Sequence, residues 1–407
     1  MSTASSRGWC STSSITSKAG SSPTGYRMRR RWRPIANWRR SARCSPAGSR
    51  VESCRMTRRF TPGSTPSSGH GARSEPMPQS APQAPLNLVL MGTGPFAVPL
   101  LESLIASPHR ITAVVTRPDR TAPGRRPPPN PVREVAEAAG LPVIDPPDVN
   151  ASEVRRRLAA VRPDLLVVCD YGQILSGDTL AVARLGGINL HGSLLPRHRG
   201  AAPVQWAILD GDAETGVSVI RMSPALDAGS VILARREPIR PDDTAATLEP
   251  RLAALGGEAV LAAIDQLAAA GGGEVGSPQD PAEVTRAPRL SRADGEVDFS
   301  EPAARIERRR RALDPWPRAA TCFVAADGKG QRLVLGETAV AEGVSVPPKT
   351  PPGTVLAIDD GDPGGITVAC GGATAIVIRG LVPAGKRPMT AGEFLRGSSL
   401  REGTRLG

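Results

Sequence analysis

Between Leu86 and His191 short apolar runs alternate with stretches whose apolar residues recur at helical spacing, and no hairpin turn joins neighbouring runs. LNLVLMG reads as a buried strand, AVPLLESLIAS as a helix, HRITAVVT as a second strand, and EVAEAAG, residues 134–140, as a short helix ending at Gly140. LPVID is a third strand, SEVRRRLAAV a helix for which Ser152 is the expected cap, PDLLVVCDYG a fourth strand and GGINLH a fifth. Parallel neighbours need crossovers, which the helices supply. The expected fold class is therefore α/β: a doubly wound, mostly parallel sheet of Rossmann-like type over residues 86–270.

Charge is distributed unevenly. The 407-residue chain carries a formal +12, but residues 1–76 hold fifteen Lys and Arg against Glu52 and Glu75 alone, which leaves the rest near neutral at −1. That leader is rich in Ser, Pro, Gly and Arg and lacks the apolar surface needed to offset the entropy of ordering its backbone. Residues 1–85 therefore read as a disordered basic extension: a stretch upstream of a start at Met77, a targeting segment, or a basic tail. No run approaches the ~18 apolar residues of a membrane span, so no membrane association is expected. Beyond the leader, Cys169, Cys322 and Cys370 are far apart and form no CxxC pair, which indicates neither a zinc site nor a disulfide framework. A cytoplasmic, metal-free monomer is expected.

Gly92, Gly94 and Ala97 match G-x-G-x-x-A after the first strand, but Thr116 and Arg117 stand where a dinucleotide site needs an acidic residue. The glycines are explained by a tight strand-to-helix turn. In open parallel sheets ligands sit at the carboxyl ends of the strands, and GINLHGSLLPRHRGAAPVQWAIL lies there. Asn189 and His191 alternate along a strand and so share one side. SPALDAG, between two further strand-like segments, presents the single carboxylate Asp227. An amide, an imidazole and a carboxylate are the parts needed when an amine attacks a carbonyl carbon: oxyanion donors, a proton shuttle, and a counter-charge for the imidazolium. No G-x-S-x-G elbow activates Ser193, so direct transfer is the simpler scheme.

NLHGSLLPRHRGAAPVQWAI closely resembles the signature of the folate-dependent formyltransferases, and within them the branch that acts on methionyl-tRNA. MGTGPFAVPLL, TRPDRTAPGRRPPPNPVREVA, VVCDYGQIL and MSPALDAGSVIL are similar to further landmarks of that family, as are LSRADGEVDF, ALDPWPRAAT, PPGTVL and PAGKRPMTAGEFL toward the carboxyl end. The resemblance implies a catalytic trio of Asn189, His191 and Asp227, folate contacts from Ser193, Leu194, Leu195 and Pro196, and transfer of formyl from 10-formyltetrahydrofolate to the amine of initiator methionyl-tRNA. It also implies tRNA contacts from the loop holding Arg120, Arg125 and Arg126, with Arg125 the best match. His198 stands where the family has an aromatic residue, and a surface or ring-packing role is expected for it. Three further positions depart from the family pattern: Asp170 replaces a small residue, Pro95 an acidic one, and Trp206 fills a position often polar.

Residues 271–289 are rich in Gly and Pro and read as a linker. Over residues 290–407 a helix-like RIERRRRAL precedes short strands separated by Gly, Asp and Pro, which predicts a small β-barrel. The resemblance makes it an OB-like tRNA-binding domain, with Lys386 and Arg387 as contacts. Sixteen basic residues there face fourteen acidic ones, so phosphate affinity has to come from local patches such as Arg308–Arg311. Two other functions fit parts of the sequence: a sugar-amine N-formyltransferase, and an RNA-binding protein without catalysis.

Overall fold

The computed structural model describes residues 84–119, 130–325 and 328–407. The leader's first 83 residues and the basic loop carrying Arg120, Arg125 and Arg126 lie outside them.

Strands β1 (Asn87–Gly92), β2 (Arg110–Val115), β3 (Val143–Ile144), β4 (Leu165–Cys169) and β5 (Gly187–His191) alternate with helices α1 (Val98–Ile105), α2 (Pro131–Ala138), α3 (Ser152–Ala160) and α4 (Gly177–Leu180). After them come β6 (Arg199–Gly200), α5 (Pro203–Asp210), β7 (Glu214–Arg221), β8 (Val231–Pro238), the long helix α6 (Ala245–Ala269) and β9 (Arg286–Ala287). One sheet of seven strands runs in the order β3-β2-β1-β4-β5-β7-β8. The first five are parallel, while β7 pairs antiparallel with both β5 and β8. β7 runs past β5 from Ser218 opposite His191 to Arg221 opposite Ile188, and the β7–β8 connection then carries Asp227 to 3.8 Å from the His191 ring.

Both faces of the sheet are buried, as its unbroken apolar strands require. Leu88, Leu90 and Val114 pack with α1 and α6 on one side; Val89, Met91 and Val115 pack with α3 on the other. Helix α6 is long and apolar enough by composition to match a membrane span, contrary to the expectation from the sequence. Its apolar face is instead core: Leu248, Leu252, Val260 and Ile264 are fully buried within the domain. Gly256 and Gly257 let it approach, because a β-carbon at Gly256 would meet Leu190 Cδ2 at 2.5 Å and one at Gly257 would meet Ser103 Oγ at 2.4 Å.

Two local readings are corrected. Helix α2 begins at Pro131 and not at Glu134, because the Asn130 side chain accepts from the Arg133 amide and Pro131 supplies a preset φ for the first turn. Ser152 is the first residue of α3, whose cap is Ala151 without a side-chain bond.

The carboxyl-terminal part holds α7 (Ala303–Ala312), β10 (Ala320–Val324), β11 (Gly330–Leu335), β12 (Thr338–Val340), β13 (Val355–Asp359), β14 (Gly365–Cys370), β15 (Thr374–Ile378), β16 (Gly380–Pro383), β17 (Met389–Thr390) and α8 (Ala391–Arg396). Its strands form two antiparallel sheets, β10-β11-β16-β17 and β12-β15-β14-β13. The ribbon of β11–β12 against β15–β16 passes from one sheet into the other with Gly336 facing Gly380 at the corner, where a β-carbon on Gly336 would lie 2.9 Å from the Gly380 carbonyl carbon. A small β domain is thus present, although pairing among the described residues runs in two sheets and no closed ring. The Arg run of α7 is turned inward: Arg309 pairs with Glu301, Arg311 with Glu307, and Arg311 Nη1 donates to the Asp243 carbonyl at 2.9 Å. The Arg311 contact ties α7 to the turn before α6.

Candidate active site

The carboxyl ends of β4 and β5, the β7–β8 turn and the start of α6 enclose a cavity of about 540 Å³. This volume lies in the range that holds a drug-sized ligand. Asn189 and His191 both line it, as the strand alternation predicts, and Asp227 faces them from the turn.

His191 is 5 % exposed. Its Nε2 lies 2.9 Å from the carbonyl oxygen of His198. A carbonyl only accepts, so Nε2 carries hydrogen and the neutral ring leaves its lone pair at Nδ1. Nδ1 lies 3.8 Å from Asp227 Oδ2. The same carboxylate oxygen accepts from the Gly200 amide at 3.0 Å, which fixes its direction. A left-handed backbone at Asp227, φ 50°, makes the turn sharp enough to aim the side chain inward. Gln279 braces the turn by donating to the carbonyls of Asp227 and Gly229 at 2.8 and 2.7 Å, while its Oε1 accepts from Arg199. Gln279 belongs to the stretch expected to be a linker. That stretch is structural: its β9 pairs in parallel with β6, in the loop that follows β5.

The arrangement supplies one base and one donor at the same place. Nδ1 of His191 can take a proton from an attacking amine, Asp227 then faces the resulting imidazolium, and the Asn189 amide can donate to an oxygen that becomes negative.

The inner wall is apolar on one side, with Phe96, Val168, Ile174 and Leu175, and acidic on the other, with Asp170 and Glu249. Burial pushes the Asp170 carboxyl up to about 6. Burial, then the nearby Asp170 charge, raises Glu249 as well. Tyr171, beside Asp170, is pushed up to about 12 mainly by burial. Sequence reasoning noticed Asp170 as a departure but missed Glu249 and Arg289, which also lines the cavity. Glu249 sits inside a helix whose local pattern says nothing of the cavity, and Arg289 comes from the supposed linker.

Ser193, Leu194, Leu195 and Pro196 are not brought to this cavity. Ser193 is buried and its hydroxyl donates to the Arg197 carbonyl, while Leu194, Leu195 and Pro196 border a separate cavity of about 240 Å³ with Arg197, His198 and Arg236. A loop just past a strand end can turn to either face, and the sequence pattern does not say which. Lys386 and Arg387 lie on the exposed turn between β16 and β17, where Arg387 pairs with Glu393 at 3.1 Å. Of the surface or ring-packing role expected for His198, the surface half is corrected: the ring is buried at 2 % exposure, with Nε2 2.7 Å from Asp212 Oδ2.

Residues 86–264 match the formyl transferase family and residues 289–399 match the formyl transferase carboxyl-terminal domain. A methionyl-tRNA formyltransferase of Rhodopirellula baltica is 45 % identical over 335 residues, covering 79 % of this chain and 96 % of the relative. One of Methylococcus capsulatus is 42 % identical over 323 residues, covering 79 % and 100 %. Among solved structures, WlaRD, a sugar 3N-formyl transferase, aligns over 74 % of this chain and 99 % of its own, with a TM-score of 0.52 and 13 % identity. HypX from Aquifex aeolicus in complex with tetrahydrofolic acid aligns over 78 % of this chain and 48 % of its own, with a TM-score of 0.50 and 19 % identity. At such identities the last two speak for the fold alone.

Proposed function

The chain belongs to the methionyl-tRNA formyltransferase family, and from that premise we propose that it moves the formyl group of 10-formyltetrahydrofolate onto the α-amine of methionyl initiator tRNA. The observation that carries the chemistry is the meeting of Asn189, His191 and Asp227 at one cavity wall, with the Nδ1 lone pair of His191 directed toward Asp227.

In this reading the methionyl amine attacks the formyl carbon and a tetrahedral oxyanion forms. Asn189 donates to that oxygen. His191 takes the amine proton at Nδ1, Asp227 stabilises the imidazolium, and the proton passes to the folate nitrogen as the carbon–nitrogen bond breaks. Water has to be kept from the formyl carbon, and the apolar wall of Phe96, Val168 and Leu175 serves that end. A flat, partly aromatic donor fits a slot with one apolar wall. Ser193–Pro196 reach such a donor only if its tail runs outside the larger cavity, and their folate role stands as part of the proposal. The acceptor end of the tRNA enters past Arg289, and Arg120, Arg125, Arg126, Lys386 and Arg387 are the residues assigned to bind the tRNA. We take the enzyme to act as a cytoplasmic monomer without metal; sedimentation of the purified chain checks its oligomeric state.

The deciding assay supplies labelled 10-formyltetrahydrofolate with Met-tRNA, with an aminosugar nucleotide, or with no acceptor. Label on Met-tRNA is expected. Label on the sugar would favour the sugar-amine reading, and label on neither acceptor would overturn formyl transfer.

A further inference from the structure

His198 touches no part of the cavity, yet its backbone carbonyl is the acceptor that fixes the tautomer of His191. The residue adopts a left-handed backbone, φ 58°. Few side chains tolerate that region, histidine and asparagine among them. Its imidazole is buried beneath the turn, and Nε2–H donates to Asp212 Oδ2 at 2.7 Å. The other oxygen of Asp212 accepts from Arg197 at 2.6 Å. The His198 amide donates to Thr285 Oγ1 at 2.8 Å, in the segment that leads into β9. Side chain and amide therefore hold residue 198 from two sides, and its carbonyl points at His191.

We propose that His198, tied down by Asp212, is a positioning residue for formyl transfer: it holds the left-handed turn whose carbonyl accepts the Nε2–H of His191, so that Nδ1 stays a lone pair facing the cavity and Asp227. The opposite tautomer would place N–H at Nδ1 and leave the His198 carbonyl without its donor inside a buried site, an unfavourable exchange. Loosening the clamp weakens the preference between tautomers and lets the ring rotate, which removes a fraction of molecules from the reactive state. His198 itself exchanges no proton with substrate.

The proposal rests on the base role assigned to His191, and the test separates the two. In the full chain, His198→Ala and Asp212→Ala are each expected to lower kcat about ten- to a hundredfold, with KM for the folate donor within about twofold of the parent. The double variant should be no worse than either single one, because both break the same clamp. His198→Asn, which tolerates the left-handed backbone and can donate to Asp212, should recover most of the turnover. Nitrogen-15 NMR of His191 gives a readout that needs no substrate: a fixed Nε2–H tautomer in the parent and a mixture in His198→Ala. A mixture without loss of kcat would sink the base role and spare the clamp. An unchanged tautomer in both alanine variants, or equal damage from His198→Asn and His198→Ala, would overturn the proposal.

Discussion

The carboxylate of Asp170 occupies the space that a side chain at residue 94 would need: a β-carbon on Gly94 would lie 1.7 Å from Asp170 Oδ2. Gly94 is thus required by steric room, and the G-x-G pattern that invites a dinucleotide reading has a local cause. The carboxylate pays for this position by desolvation, and its acid form is favoured.

That position makes stability depend on pH. An ordinary aspartyl group near 3.8 in the unfolded chain rises to about 6 when folded. Between those values the folded chain holds a proton the unfolded chain has lost, so stability present at low pH declines as pH rises and levels off above about 6. Asp170→Asn should therefore raise the thermal midpoint relative to the parent at pH 7.5 and change it little at pH 4. Glu249, raised in the same direction, leaves a residual slope. Equal shifts at both pH values would contradict the assignment to Asp170.

His191→Ala should lower turnover by about 10²–10⁴, and Asn189→Ala by about 10²–10³. Asp227→Asn keeps the Gly200 hydrogen bond but loses the charge facing the imidazolium, and it should also reduce kcat. Donor binding, followed by calorimetry, should be little changed in all three. Near-normal turnover in His191→Ala would remove this mechanism.

Helix α6 can be pushed off the sheet from its closest approach. Gly256→Val has no room beside Leu190, which sits between Asn189 and His191, and should cost about 1–3 kcal/mol in denaturant titrations while lowering kcat. A variant with parental stability would show that the helix shifts freely.

Asp243, buried at the start of α6, is hydrogen-bonded by Arg251 at 2.6 and 2.8 Å, which with further hydrogen bonds holds its carboxyl down to about 2. Its stabilisation is present above the ordinary aspartyl range and lost as pH falls toward 2. Asp243→Ala leaves Arg251 with Glu237 and the Pro238 carbonyl, and about 2 kcal/mol of destabilisation at pH 7 is expected from chemical denaturation. The loss should fade in acid.

Much of this was legible in the sequence. Five strands and the trio follow from apolar runs and from where a parallel sheet puts its ligand. What escaped depends on distant partners. Asn130 before Pro131 is a local capping signal; by contrast, nothing near Gln279 announces that it braces Asp227, and nothing in RIERRRR tells that Arg311 turns inward to the Asp243 carbonyl. Ser193–Pro196 sit in the matching motif, yet the turn that follows β5 carries them to the other side of the loop.

The basic loop gives a salt test. Arg125→Ala should impair tRNA-dependent turnover at all ionic strengths while leaving folate binding intact, if the side chain meets the acceptor end through bidentate contacts or stacking. A defect that vanishes as salt rises would mean that the loop only steers.

The brace from Gln279 to the Asp227 turn has a consequence for how such enzymes can be taken apart. The stretch that joins the two domains is built into the candidate site, so an amino-terminal domain cut after α6 loses the side chain that holds the Asp227 turn. Grafting a different carboxyl-terminal domain onto it preserves chemistry only if the graft point lies beyond β9. Residues 277–287 thus travel with the amino-terminal half in any recombination that keeps the Asp227 turn braced.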